Sequence, residues 1–161
     1  MSRRAVTHGL GFTLVEVLVV VVMIGILAAV SVPTLSAAVN DSKTSNAMNA
    51  LGGVRSSVAS FRTRATIAGS DPFPTLAQLT TPGDVLDRPI PQNPWTGLAG
   101  VRSATEAQAS ARAVVDAEAF GWAYFVDNAS SPPVAIFYAN CDDATARVDG
   151  ADGSFHTANE L

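Results

Sequence analysis

An almost unbroken apolar run, from Phe12 to Val32, constrains this chain more than any other feature. An α-helix rises ~1.5 Å per residue and a bilayer core is ~30 Å thick, so about 20 such residues span a membrane. Hydrocarbon offers no hydrogen-bond partner to backbone N–H and C=O groups. A single apolar segment can therefore cross the membrane only as a helix. The sequence therefore predicts a transmembrane helix over residues 12–33, near the N-terminus.

The charges around this run are asymmetric. Arg3 and Arg4 precede it, and no acidic residue occurs before Glu16. Basic flanks stay on the cytoplasmic side of a membrane, so we expect a cytoplasmic N-terminus and an extracytoplasmic remainder.

Glu16 is an acid inside the apolar run. An ionised carboxylate costs roughly 2.5–3.5 kcal/mol at mid-bilayer on insertion scales, and less near a helix N-terminus. An ionisable residue at such a position is expected to be functional and to have a partner that compensates its charge. A cut after Gly11 would create a cationic amine on Phe12. That amine could pair with Glu16 of an axially shifted neighbour, and the low dielectric would strengthen the contact.

These residues carry a resemblance to a known family. Gly11-Phe12-Thr13-Leu14-Val15-Glu16, the apolar run and Pro33 resemble the class III signal of type IV pilins and type II secretion pseudopilins. The resemblance implies a prepilin peptidase that removes leader residues 1–11 and methylates the new N-terminal Phe12. It also implies roles in assembly for Glu16 and for Pro33, which ends the first helical section in that family.

The resemblance further implies a location and partners. Such a subunit sits in the bacterial inner membrane as a single-pass protein and forms a homo-oligomeric helical fibre. Its expected partners are the peptidase, an inner-membrane assembly platform and minor pseudopilins. The expected function is that of a structural subunit of a type II secretion pseudopilus, which supports protein export.

Other functions stay open at this point. A type IV pilus subunit for adhesion, motility or DNA uptake shares the same signal. A monomeric membrane-anchored binding domain would explain the apolar run and the arginines but not the placement of Glu16. A secretory signal peptide has only 7–15 apolar residues, and the residues after Arg4 support a twin-arginine signal poorly.

Composition excludes several other classes. The chain has 161 residues and a net charge of −4 without basic clusters, which argues against nucleic-acid binding. Cys141 is the one cysteine, so an internal disulfide is excluded, and we expect it to be a small buried residue. The two histidines, His8 and His156, do not suffice for a catalytic set, so we expect no enzymatic activity.

The helix is predicted to continue beyond the membrane over residues 34–68. An apolar stripe at helical spacing marks its buried face: Leu51, Val54, Val58, Phe61 and Ala65. Pro33 should bend or loosen the helix near residues 29–33, and Gly69-Ser70-Asp71-Pro72 should stop it. Gly52-Gly53 is a weak spot that is either flexible or closely packed.

A proline-rich loop follows over residues 71–100. We expect a helical turn near residues 75–79 and a turn of the chain at Pro82-Gly83. Two of its segments, Phe73-Pro74-Thr75 and residues 91–97 (Pro-Gln-Asn-Pro-Trp-Thr-Gly), resemble the corresponding loop of major pseudopilins. The alternative is a surface loop pinned by a packed tryptophan.

The remaining residues predict a small sheet. Residues 121–127 and 134–139 form a predicted antiparallel hairpin, and a hairpin alone is marginally stable, so at least one further strand is expected. Residues 101–119 either hold a short helix around residues 106–115 or form a variable loop. The predicted fold class is α+β: a long N-terminal transmembrane and amphipathic helix packed on a small antiparallel sheet, with residues 69–161 as a globular pilin-like domain.

The C-terminal region is rich in oxygen ligands. Asp142, Asp149 and Asp152 are candidate ligands for Ca²⁺, which takes six to eight oxygens. Major pseudopilins carry a calcium loop in a comparable place, so the resemblance implies Ca²⁺ as a cofactor. The alternative is an acidic turn within a hairpin, since the spacing is not that of an EF-hand.

Overall fold

The computed structural model describes residues 11–148 and 155–161, apart from the side chains of Pro33 and Val148. The chain divides into two compact units with the boundary between Ala38 and Val39. The fold class is α+β, as predicted, with a long N-terminal apolar helix and a small sheet.

Helix α1 runs from Leu14 to Ala68. Gly69 ends it with a φ of 67°, a conformation that glycine adopts without a steric penalty. The Ser70 N–H then donates to the Ala65 carbonyl oxygen at 3.0 Å, which satisfies one of the free carbonyls of the last turn. The predicted end of the helix at Ala68 and its stop at Gly69 are confirmed, whereas the helix begins at Leu14, two residues after the predicted start.

Three strands form the main sheet: β1 (Val101–Ser103), β2 (Trp122–Asp127) and β3 (Val134–Ala139). Strands β2 and β3 pair in antiparallel fashion, which confirms the predicted hairpin. The expected third strand is β1, and it pairs with β2 in parallel, so this sheet is mixed.

The core lies between the sheet and the second half of α1. Leu51, Val54 and Val58 of the predicted stripe belong to one buried cluster with Trp122 and Phe137. The rings of Trp122 and Phe137 stack with their centroids 5.5 Å apart. Each such side chain contributes roughly 1.5–3 kcal/mol when fully buried, so this cluster fixes the helix to the sheet.

Short elements complete the globular unit: α2 (Leu76–Thr80), α3 (Glu106–Ser110), β4 (Ala144–Val148), β5 (Phe155–Thr157) and a 3₁₀ turn (Ala158–Glu160). Helix α2 confirms the expected turn after the first prolines, and α3 confirms the short helix within residues 101–119. Strands β4 and β5 pair in antiparallel fashion. They were not predicted individually, although a hairpin was one interpretation of this acidic region.

Candidate functional site

Among the residues that the structure describes, the first part of α1 has no apolar partner. Its large apolar side chains are all exposed, from 45 % at Val19 to 85 % at the preceding Phe12. The most apolar part of α1 has a mean hydropathy of 2.8 and none of it is buried. Within the described residues, α1 is the one helix long and apolar enough to cross a membrane.

Glu16 is held by the residue that precedes the helix. Its Oε2 accepts hydrogen bonds from the backbone N–H and the hydroxyl of Thr13, both at 2.9 Å. In return the Glu16 N–H donates to the Thr13 hydroxyl oxygen at 3.2 Å. This reciprocal pair is a capping box, which satisfies orphan N–H groups at the helix start.

The capping box gives Glu16 a partner that the sequence analysis missed. The signal was present, since Thr-x-x-Glu before an apolar run is the pattern of a capping box. The same device recurs at α2 with Thr75 and Gln78 and at α3 with Thr105 and Gln108. Glu16 therefore has a local structural role in a single copy, and any pairing with another copy must be tested against that role.

The proposed cleavage site lies just ahead of this capping box. Gly11 and Phe12 are exposed and outside any regular element. A Cβ on Gly11 would meet no atom within 4 Å, so the peptide bond between them is sterically open in the described residues. Arg3, Arg4 and His8 of the leader lie outside the described residues.

Pro33 does not interrupt helix α1. Its backbone is part of α1, which continues for many turns beyond it. The Thr34 hydroxyl donates to the Ser31 carbonyl oxygen at 2.8 Å. The expected bend near residues 29–33 and the role of Pro33 in assembly stay predictions.

The candidate calcium ligands are not brought together in the described residues. Asp142 is exposed two residues before β4, whereas Asp149 and Asp152 lie outside the described residues. Among the residues that the structure describes, no group of three His, Cys, Asp or Glu side chains is arranged to hold a metal ion. Calcium binding stays a prediction of the resemblance.

Cys141 is buried, as expected for a structural cysteine. Its side chain is 3 % exposed, and desolvation raises the pKa of its thiol. The Asn93 side-chain N–H donates to its sulfur at 3.3 Å and to the Gly121 carbonyl oxygen at 2.8 Å. Asn93 itself is fully buried and belongs to the Pro91–Gly97 loop, so this loop is anchored by hydrogen bonds as well as by Trp95.

The first loop segment is also a structural part of the globular unit. Thr75 caps α2, and the Pro74 carbonyl oxygen accepts a hydrogen bond from the Tyr124 hydroxyl at 2.8 Å. Burial raises the pKa of Tyr124, because the phenolate would lose its hydration.

Comparison with protein-family models found no match, and comparisons with curated proteins and with solved structures found none either.

Proposed function

We propose that the protein is a structural subunit of a type II secretion pseudopilus and so supports protein export. In this proposal a prepilin peptidase cuts between Gly11 and Phe12 and methylates Phe12. Before assembly, the mature chain is inserted in the bacterial inner membrane, with residues 39–161 on the extracytoplasmic side. It then assembles with other copies, on an inner-membrane platform and with minor pseudopilins. The role is structural rather than enzymatic.

One observation carries this proposal: within the described residues, the large apolar side chains of the first part of α1 are all exposed, and a carboxylate lies near its start. Exposed apolar area of this extent must be covered by lipid, by other copies or by both in turn. Lipid covers the side chains but leaves the charge of Glu16 uncompensated. A cationic Phe12 amine from another copy would compensate it, which favours an assembling subunit over a simple anchor.

Two substitutions of Glu16 test this proposal, because they separate its role in helix capping from its role in charge pairing. Glu16→Gln removes the charge but keeps an oxygen that can complete the capping box. Glu16→Ala removes both. If the carboxylate pairs with an amine, we expect both variants to lose filaments roughly tenfold or more, while both still insert into the membrane. Filaments sheared from cells and carbonate-resistant membrane protein measure the two quantities.

Thr13→Ser is the matched control, because serine keeps the capping hydroxyl and should leave filaments unchanged. Wild-type filament levels in Glu16→Gln would refute the pairing and leave capping as the role of Glu16. Wild-type protein that inserts into the membrane but forms no filaments would point to an anchor alone.

A further inference from the structure

Strand β3 lies at one edge of the three-stranded sheet, with β2 on its inner side. The Tyr124 carbonyl oxygen of β2 is turned toward β1, because it accepts from the Ala104 N–H at 2.9 Å. Paired residues of an antiparallel ladder alternately bond to each other and point away from each other. Phe137 is the residue paired with Tyr124, so the N–H and C=O groups of Ala135, Phe137 and Ala139 point to the outer edge.

Residues 158–161, which we call the strap, cover this outer edge. The 3₁₀ turn of the strap lies against β3, and Phe137 and Ala139 are 4 % and 0 % exposed. Arg55 joins the two segments, since its guanidinium donates to the backbone oxygens of Phe137 and Leu161, both at 3.1 Å. The strap therefore shields an edge to which a further strand could pair.

The strap buries this edge without satisfying its donors. Within residues 11–148 and 155–161, no backbone or side-chain oxygen accepts a hydrogen bond from the Phe137 N–H or the Ala139 N–H. A buried N–H group without a partner costs free energy comparable to a lost hydrogen bond. An added β-strand would supply a carbonyl oxygen to each group, so the closed strap is a poorer partner for the edge than a strand.

Asp143 and Arg112 hold the strap on its other side. The Ala158 N–H donates to the Asp143 carbonyl oxygen at 2.9 Å, and Asn159 Nδ2 donates to the Arg112 carbonyl oxygen at 2.9 Å. Arg112 has a φ of 48°, in the left-handed region that costs a non-glycine residue free energy. Burial and, second, the Arg112 charge lower the pKa of Arg55, so the two guanidinium groups beside the strap repel each other.

The strap is held together internally, so it can move as one piece about Thr157. The Thr157 N–H donates to the Glu160 carboxylate at 2.8 Å, and the Thr157 hydroxyl donates to Asn159 Oδ1 at 2.6 Å. The apolar side chains of the strap are the small Ala158 and the partly buried Leu161. Opening therefore exposes little apolar area, as is typical of segments that open locally in a folded protein.

We propose that the strap opens about Thr157 while α1 and the sheet stay folded, and that the uncovered edge of β3 then pairs with the same edge of a second copy. Two identical antiparallel edges are self-complementary, since each presents outward N–H and C=O groups. On opening, Arg112 relaxes and the outward N–H groups gain acceptors, which offsets the contacts that the strap gives up. The closed strap thus blocks pairing between copies until it opens.

Backbone amide exchange of the full chain in detergent, resolved to single residues, tests the opening. Asn159→Ala removes the side-chain bond to Arg112 and should accelerate exchange at Phe137 and Ala139 several-fold. The alternate residues of β3 bond to β2 and should be unchanged, so the effect should alternate along the strand. Asn46→Ala, at an exposed position of α1, is the matched control and should leave exchange along β3 unchanged.

Val58→Ala separates strap opening from a general loss of stability. It leaves a cavity in the core, so it should accelerate the alternate residues of β3, which exchange when the sheet itself opens. Uniform acceleration along β3 in Asn159→Ala would overturn the strap. Unchanged exchange at Phe137 and Ala139 in that variant would overturn it as well.

Light scattering of the same detergent-solubilised chains tests the pairing. Asn159→Ala should raise the dimer fraction several-fold over that of the wild type. Ala135→Pro added to this variant should return the dimer fraction to the wild-type level, because proline lacks the outward N–H and spares the bonds to β2. Ala135→Ser keeps the N–H and should keep the dimer.

A dimer fraction that Ala135→Pro leaves unchanged would overturn pairing through this edge, since another surface would then hold the copies together. Alternating exchange with no rise in the dimer fraction would support the strap and overturn the pairing. Filaments play no part in either measurement, so the strap and the proposed function can fail independently.

Discussion

The two halves of α1 have the same backbone structure and opposite surroundings. In the second half, Leu51 and Val54 are 1 % and 2 % exposed against the sheet. In the first half, Leu18, Ile24 and Leu27 are 57–67 % exposed. Apolar side chains stabilise a fold in proportion to the area they remove from water. The apolar side chains of the second half are therefore accounted for by the core of their own chain. Those of the first half require surroundings that the described residues of one copy do not provide.

Matched leucine truncations test this contrast most strongly. Leu51→Ala should lower the free energy of unfolding of the globular unit by about 2–5 kcal/mol, because it leaves a cavity in the core. Leu27→Ala should change it by less than about 0.5 kcal/mol, since the side chain is exposed in the part of the chain that the structure describes. Urea unfolding of the full chain in detergent, followed by tryptophan fluorescence, measures both. Equal effects from the two variants would remove the distinction between the halves.

A charge in the first half should act on the membrane and spare the fold. Ile24→Arg places a guanidinium near the middle of the apolar run, at an insertion cost of roughly 2.5–3.5 kcal/mol. We expect a clear loss of carbonate-resistant membrane protein, with the urea midpoint of the globular unit unchanged. Arg88, exposed in the proline-rich loop, offers the matched control: Arg88→Ile should leave insertion unchanged. Normal insertion of Ile24→Arg would contradict a membrane-spanning helix.

The stability of the core that packs against the second half of α1 should also depend on pH. Burial raises the pKa of Tyr124 above its ordinary value of about 10, so the protonated form is favoured in the folded state. The associated stability is complete below about pH 10 and is lost as the pH rises toward the raised pKa. Tyr124→Phe should therefore flatten the alkaline fall of the unfolding free energy.

The cost of Tyr124→Phe at neutral pH should be about 1 kcal/mol, because the hydrogen bond to Pro74 is lost. Tyr138 has a pKa raised by desolvation as well, so Tyr138→Phe provides a comparison. An alkaline limb identical to that of the wild type would show that Tyr124 does not contribute to it.

The smallest expected effect concerns the glycines within the buried half. A Cβ on Gly52 or Gly53 would meet no atom within 4 Å, so the fold of one copy does not require glycine there. Gly53→Ala should raise the free energy of unfolding by about 1 kcal/mol, because alanine is the better helix former. A filament assay on the same variant then separates the interpretations. Lost filaments with a more stable unit would indicate close packing or flexibility needed in the assembly, whereas a destabilised unit would contradict the open environment.

Much of the fold was predictable because its signals are local. The apolar run, the stripe through Val54 and Val58, and the stop at Gly69 define α1 without reference to any distant residue. Strands β2 and β3 are likewise marked by their aromatic and β-branched residues. Strand β1 was not located, because Val101–Ser103 is short and becomes a strand through pairing with β2. Strands β4 and β5 are similarly short, so their sequences carry little signal of their own.

The residues of the candidate site could be predicted from the sequence, whereas the contacts that they make could not. Glu16 stands out because an acid within an apolar run is costly, yet its bonds to Thr13 were overlooked although the capping pattern is local. A cavity beside the second half of α1, lined in part by aromatic rings, was not predictable from the sequence. It combines Arg55 and Arg62 of α1 with rings from the loop and from two strands, and only the tertiary fold brings those segments together.

The intact mass of the chain purified from membranes tests the central claim most directly. The account requires a free amine on Phe12 that can compensate Glu16 of another copy. It predicts a mature chain that begins at Phe12 with an N-methyl group and lacks residues 1–11. A chain that still begins at Met1 would contradict the account.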